Sequence, residues 1–268
     1  MRNTGLSREG LKTIACMTML IDHIGATLVS SWLLSIEGVA PTELFWLYNI
    51  LRCIGRMAFP IFCFQLVEGA YYTKNPKKYA LRLFIGLLLS EIPFDLAFSH
   101  TWLEKKWSIL TPLLGVNTKF NSVMMTLLLG FFMIQSMKRV NGMWKGLVAV
   151  PFCFAAELLH TDYAGEGILL IALFALVRGQ KHQKLLTALG MVALVILGGD
   201  GVVFVDNVPI YMDRCKLLAL LPIFAYDGRK VSQSKALQWG FYLFYPAHIA
   251  ILALLDWVIF GFSPFGPG

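Results

Sequence analysis

The chain has 268 residues, of which 57% are hydrophobic and only 15% charged, and its mean hydropathy is +0.66. Apolar runs of about 20 residues recur between short polar gaps, which excludes a soluble globular enzyme and specifies an all-α polytopic integral membrane bundle. The formal charge of +7 is topological rather than a nucleic-acid footprint, because the basic residues sort by membrane side, so no nucleic-acid partner is expected.

In chain order, the first apolar run follows Arg2 and Arg8 to Lys12. It lacks a small-residue cleavage site and is too long for a signal-peptide core, so it reads as a retained span. Nine spans are expected: Leu11 to Leu34, Leu44 to Tyr71, Tyr79 to Ser99, Asn121 to Met137, Gly146 to Leu159, Ala164 to Val177, Leu185 to Gly199, Arg214 to Tyr226, and Leu237 to Phe262. Sixteen Lys and Arg fall at the N-terminus and in alternate connections, five in the opposite connections, and Arg52 and Arg56 within a span. That asymmetry puts the N-terminus in the cytoplasm and the C-terminus outside.

The whole chain, 1–268, reads as one integral membrane domain. Its longest gap, His100 to Phe120, carries Trp102 and Trp107 and suits an interfacial lid on the outer side. The outer connection between the seventh and eighth spans carries Asp200, Asp206 and Asp213. The cysteines at 16, 53, 63, 153 and 215 have no CxxC or Cys/His ligand spacing. Buried free thiols are expected rather than disulfides, and no metal.

Ionisable groups at membrane depth are costly unless paired, which makes them functional candidates. Asp22 and His23 stand midway through the first span. Lys12 lies eleven residues earlier, so at 100° per residue it shares a face with His23 to within about 20°, roughly 16 Å apart along the axis. A cation at the inner mouth and an imidazole at mid-depth suit one elongated anionic ligand. The plainer reading is an anchoring lysine and a histidine in an interhelical hydrogen bond.

Arg52 and Arg56 sit one turn apart in span two, and Glu91 and Asp95 one turn apart in span three. The two pairs could order the bundle as a buried charge network, or an arginine could contact a ligand oxyanion. Pro60 and Pro93 each free a backbone carbonyl nearby. His248 follows Pro246 in the last span and suits a cavity wall. Glu157, His160, Asp162, Tyr163 and Glu166 form an acidic outer rim. With Glu68 and Asn121, residues Glu91, Asp95, Asp162 and Tyr163 are expected in a structural or acceptor-side polar network. These features fit an enzyme with a cytoplasmic anionic donor and an outer acceptor. They fit equally a proton-coupled transporter.

Several segments in order are familiar: DHIG, IGRMAFPIFCFQLVEG, KNPKKYALRL, SEIPFD, TDYAGEGILL and FYPAHI. Together they resemble the TraX family, over nearly the whole chain. The Lys12 to His23 spacing is also similar to the Arg/Lys-x10-His pattern of the broader membrane acyltransferase superfamily. The resemblance implies a bacterial cytoplasmic-membrane enzyme that moves acetyl from acetyl-CoA to an acceptor, the N-terminal amine of F-pilin in the founding case. It implies acid/base work for His23 and a hold on the CoA phosphates for Lys12. Read from the residues, Asp22 and His248 join His23 as catalytic candidates, and Arg52 and Arg56 join Lys12 as cofactor contacts. Asp22 points about 100° from His23, so it is expected to hold Arg52, Arg56 or a second histidine such as His248. Acceptors open to such an enzyme are a peptide amine or an envelope glycan hydroxyl, with membrane lipid around the bundle. His23 could take a proton or accept the acetyl group itself. A non-catalytic factor in surface-appendage assembly is the other reading that stays open.

Overall fold

The computed structural model describes residues 5–98, 122–198, 201–229 and 234–261. Asn121, Asp200, the side chain of Asp95 and the expected lid with Trp102 and Trp107 lie outside the described part. The helices in chain order are α1 (Arg8–Ile24), a π turn (Gly25–Val29), α2 (Ser30–Ser35), α3 (Thr42–Gly55), α4 (Ala58–Tyr72), α5 (Pro76–Phe98), α6 (Val123–Met137), α7 (Trp144–Leu147), α8 (Ala149–Leu158), α9 (Ala164–Val177) and α10 (Gln183–Gly198). A hairpin follows, β1 (Val202–Val205) and β2 (Val208–Tyr211), then a 3-10 segment (Met212–Ala219), α11 (Leu220–Ala225) and α12 (Lys235–Phe260).

The chain divides into two compact units. The first holds the described residues 5–61, 93–98, 201–229 and 234–261. In it, the Ser7 hydroxyl accepts from the Gly10 amide at 3.1 Å and starts α1. One side of α1 buries Leu11, Ala15, Cys16 and Met19. The expected second span breaks into α3 and α4 at Arg56 and Met57. Pro60 is the physical reason: it has no N–H for the Arg56 carbonyl, and its ring clashes with that carbonyl in a continuous helix. α3 packs against α1, the π turn and the 3-10 segment, and α12 packs against α1.

The hairpin departs from the all-α expectation. Its strands pair antiparallel with Val205 opposite Val208, around a two-residue turn in which Asp206 and Asn207 have φ of 48° and 61°. Asp and Asn tolerate that left-handed region, and β-branched residues flank them on both sides. A second correction concerns cysteine. Cys53 of α3 and Cys215 of the 3-10 segment form a disulfide across a separation of 162 residues, while Cys16, Cys63 and Cys153 are free thiols. Local spacing does not reveal a bond made by packing two distant elements together.

The second unit holds residues 62–92 and 122–198. Its centre is α9, apolar on all sides, with Ile168, Ile171 and Phe174 buried against α6, α8 and α10. Gly130 of α6 and Gly190 of α10 permit close approach to α9: a Cβ at either would overlap the side chain of Ile171 or Leu173, respectively.

By length and composition, three helical stretches are long and apolar enough to cross a membrane: Arg8–Ser35, Thr42–Tyr72 and Trp239–Phe260. Val123–Met137, Ala164–Val177 and Gln183–Gly198 are apolar but shorter. Large apolar side chains such as Leu197 and Val258 stand outward, 82% and 70% exposed. Such surfaces suit contact with lipid or with another protein.

Candidate functional site

The site is built in the first unit, where α1, α3 and α12 meet. α1 carries His23 close to its C-terminal end, and the π turn begins two residues later. The Thr27 hydroxyl donates to the His23 carbonyl at 2.7 Å, and the Ser30 amide reaches Gly25 in the wide i to i+5 pattern. π turns recur beside functional side chains because they re-aim a helix face.

His248 comes from α12, two residues after Pro246. Its Nδ1 lies 2.6 Å from the Phe244 carbonyl, and its Nε2 lies 2.7 Å from His23 Nδ1. A carbonyl only accepts, so His248 Nδ1 carries the hydrogen. With both rings neutral, His248 Nε2 is then an acceptor and His23 Nδ1 donates to it. The tautomer of His23 follows: its Nε2 holds the lone pair. The ring planes are 8° from parallel with centroids 4.9 Å apart. That is the arrangement of two rings joined edge to edge through an in-plane hydrogen bond. Tyr245 completes the wall, its ring centroid 6.4 Å from that of His23 and 5.9 Å from that of His248.

Lys12 behaves as the spacing implies. Its Nζ sits 5.3 Å from the centroid of Phe241, on the same helix as His248. Lys12 meets Phe241 and His23 meets His248, so α1 and α12 run in the same direction with both residues of α1 turned to one neighbour.

Asp22 turns away from this pair. Its Oδ2 accepts from Arg52 Nη1 of α3 at 2.7 Å, both side chains about four-fifths buried. Gly55, one turn further along α3, makes this possible: a Cβ there would overlap the Cβ and carboxylate of Asp22. The charge of Arg52 also reaches His23, and that of Arg56 reaches Asp22. Arg56 acts on Asp213 as well, and Asp213 Oδ1 pairs with Lys216 Nζ at 2.8 Å. Burial alone would raise the Asp213 carboxyl. The hydrogen bond and charge of Lys216, the charge of Arg56 and the Gly201 amide outweigh it and hold the group below the usual carboxylate range. A line of alternating charges thus runs from Arg52 through Asp22, Arg56 and Asp213 to the buried Lys216, with the Cys53–Cys215 bond joining the two elements that carry it.

Sequence reasoning brings together His23, His248, Asp22, Lys12, Arg52 and Arg56, and the structure places all six in this unit. The carboxylate that Arg52 takes is Asp22, where the sequence also offered Glu91 and Asp95. Glu91 is buried on α5 in the second unit. In that unit Glu68 pairs with Arg178 at 2.7 Å. There too the Asp162 carbonyl accepts from the Thr126 hydroxyl, and Tyr163 precedes α9 with φ of 60°. Reading the sequence missed Gly55, Asn49 and the disulfide, and it put Asp213 and Lys216 on the outer side without a place in the site. Asn49 is 2% exposed and its Nδ2 donates to the Phe45 carbonyl, while its Oδ1 and Asp22 Oδ1 are buried acceptors without a hydrogen-bond partner among the described residues. The signals for some of these were visible: a glycine one turn after Arg52, and a cysteine flanked by Arg214 and Lys216.

The fold and the site define a mostly helical protein with three candidate membrane spans, a buried, oriented imidazole pair and an adjoining line of ion pairs. The TraX protein family model matches residues 7–256, and the chain belongs to the TraX family. It is 29% identical over 261 residues to a Dichelobacter nodosus protein described as "Probable fimbrial assembly protein FimC, serogroup H1", covering 94% of this chain and 96% of that one. No solved structure matches.

Proposed function

We propose that this protein is a polytopic acetyltransferase of the bacterial cytoplasmic membrane, which moves an acetyl group from cytoplasmic acetyl-CoA to an amine or hydroxyl acceptor reached from the outer side. The observation that carries this reading is the fixed tautomer of His23. A base needs a lone pair on one nitrogen and a hydrogen bond at the other, and the pair with His248 supports that assignment for His23. In the reaction, the acceptor's N or O attacks the thioester carbonyl and His23 Nε2 takes its proton. The C–S bond then breaks, and the imidazolium returns the proton to the departing sulfur, giving acetylated acceptor and free CoA. His248 acts as a positioning residue through Nδ1 of His23. Lys12, one face down at the cytoplasmic edge, suits the phosphates of the donor. The sorting of basic residues supports the orientation. A disulfide between Cys53 and Cys215 fits an outer, oxidising side for that end of the unit.

The test uses inside-out membrane vesicles from cells producing the protein, supplied with labelled acetyl-CoA on the exposed cytoplasmic face. Transfer of label to protein or glycan should occur with the wild type and vanish with His23→Ala. Full labelling by a folded His23→Ala variant would sink the catalytic assignment.

A second reading is favoured by the name of the relative: a non-catalytic part in the assembly of surface appendages. It predicts that His23→Ala leaves appendage assembly intact while breaking the bundle, for example at Gly55, abolishes it.

A further inference from the structure

We infer that the C-terminal ends of α4, α6 and α9 in the second unit form a seat for a phosphate-bearing anion, with Lys138, Arg178, Tyr71 and Tyr72 as its walls. The seat stands apart from the acetyl-transfer reading and does not rest on it.

The geometry is ordered. Lys138 directly follows α6 and Arg178 directly follows α9. Both reach the ring of Tyr71 at the end of α4, Lys138 Nζ at 4.7 Å and Arg178 Cζ at 4.6 Å from its centroid. Arg178 also lies 5.1 Å from the Tyr72 ring centroid and shares a hydrogen bond with that side chain. Lys138 Nζ donates to the Ala70 carbonyl at 2.5 Å, and Arg178 Nε donates to Glu68 Oε1 at 2.7 Å. Each bond uses one of three ammonium donors or one of five guanidinium donors. Burial and the neighbouring charge of Arg178 pull the Lys138 ammonium below its usual range, so the like charges are felt at close quarters.

Helix C-termini favour one cation each, and that accounts for the placement of Lys138 and Arg178 singly. It leaves the surrounding imbalance unexplained. The segments 71–82, 138–147 and 178–184 also carry Lys74, Lys77, Lys78, Arg82, Arg139, Lys145, Lys181 and Lys184, and they contain no Asp or Glu. Topology asks only for positive charge there, which mobile lysines supply. Two cations fixed on one aromatic ring, beside a tyrosine hydroxyl, suit a tetrahedral oxyanion instead. Met143 and Trp144, 84% and 62% exposed, adjoin Lys145 at the start of α7, and α7 packs on α9. An exposed tryptophan beside a lysine is the pattern of a headgroup-level anchor. The phosphate therefore comes from an anionic phospholipid headgroup or from free CoA, and the experiment separates the two.

Full-length protein in detergent, stripped of lipid, is titrated by thermal unfolding with phosphatidylglycerol, phosphatidylcholine and CoA, as wild type and as Lys138→Gln/Arg178→Gln. Stabilisation by phosphatidylglycerol over phosphatidylcholine that weakens in the double variant supports the seat and names lipid as its ligand. The expected loss is roughly fivefold in apparent Kd for each cation removed. A CoA response lost in the double variant, without a phosphatidylglycerol response, supports the seat and names the soluble phosphate. No response to either, or a response undiminished in the variant, overturns it. Where the double variant does not fold, reductive methylation of the wild type replaces it. Protection of Lys138 but not Lys145 by either anion supports the seat, and equal labelling overturns it. Loss of acetyl transfer in His23→Ala leaves this result untouched, so the two readings fail separately.

Discussion

Replacing Gly55 with alanine tests how the site is held together. A methyl at this position overlaps the Cβ, Cγ and Oδ1 of Asp22. A carboxylate can rotate away, but the Cβ of Asp22 is fixed by the helical backbone of α1, so α1 and α3 must move apart. Overpacking of this kind costs about 1–3 kcal/mol. Separation also breaks the Asp22–Arg52 contact at 2.7 Å, a charged hydrogen bond worth about 1.5–3 kcal/mol. The sum is roughly 2.5–6 kcal/mol, which at about 2–4 °C per kcal/mol lowers Tm by about 5–20 °C. The assay is thermal unfolding of detergent-purified protein, with Gly146→Ala as control, since nothing lies within 4 Å of a Cβ built there. Acetyl transfer should fall with stability, because His23 is next to the displaced Asp22. A Gly55→Ala protein that melts with the wild type would refute the close packing of α1 on α3 and the argument built upon it.

At His248, glutamine offers an amide oxygen near the position of Nε2, whereas phenylalanine fills the space without an acceptor. His248→Phe should lower the transfer rate about 10- to 100-fold, the cost of leaving the His23 donor unsatisfied, and His248→Gln should retain more activity; equal losses would deny His248 its positioning role. Reduction of Cys53–Cys215, or Cys53→Ser, should destabilise the protein by about 2–4 kcal/mol, read as a lower Tm, with no further effect of reductant on the variant. The Asp213 carboxyl is held low in the folded state, so its contribution to stability is present above the unfolded pKa and lost as pH falls through the folded one. The wild type should therefore lose Tm on acidification more steeply than Asp213→Asn/Lys216→Gln, and parallel acid limbs would contradict the assignment.

The helical elements were legible because an apolar membrane segment has few alternatives: unpaired backbone groups in hydrocarbon leave helix as the default. The Lys12 and His23 face could be read from an eleven-residue offset, because both residues lie on one uninterrupted helix. Their partner His248 lies 225 residues from His23, and no periodicity connects helices so far apart. The hairpin was hidden for a different reason. The runs VVFV and VPIY are too short for a span and fall in what reads as the outer connection between the seventh and eighth spans, and the turn residues Asp206 and Asn207 were the deciding signal. The break at Arg56 was partly visible in Pro60, which announces a lost carbonyl partner but not whether the helix kinks or stops.

What separates catalysis from assembly in this family member is the directionality of the imidazole pair. A histidine retained only to tie α1 to α12 needs any one hydrogen bond across the interface, in either tautomer. Here the direction is imposed from outside the pair, by the backbone carbonyl of Phe244 acting on His248. Pro246 stands within one turn of that carbonyl on α12, and a π turn begins two residues after His23 on α1. The π turn is a local departure from regular helix beside this hydrogen bond, and it costs stability that a purely structural contact has no need to spend. The base reading therefore predicts that removing the acceptor while keeping the ring packing against Phe244, as His248→Phe does, harms transfer more than folding. The assembly reading predicts the reverse order, with unfolding and appendage loss appearing together.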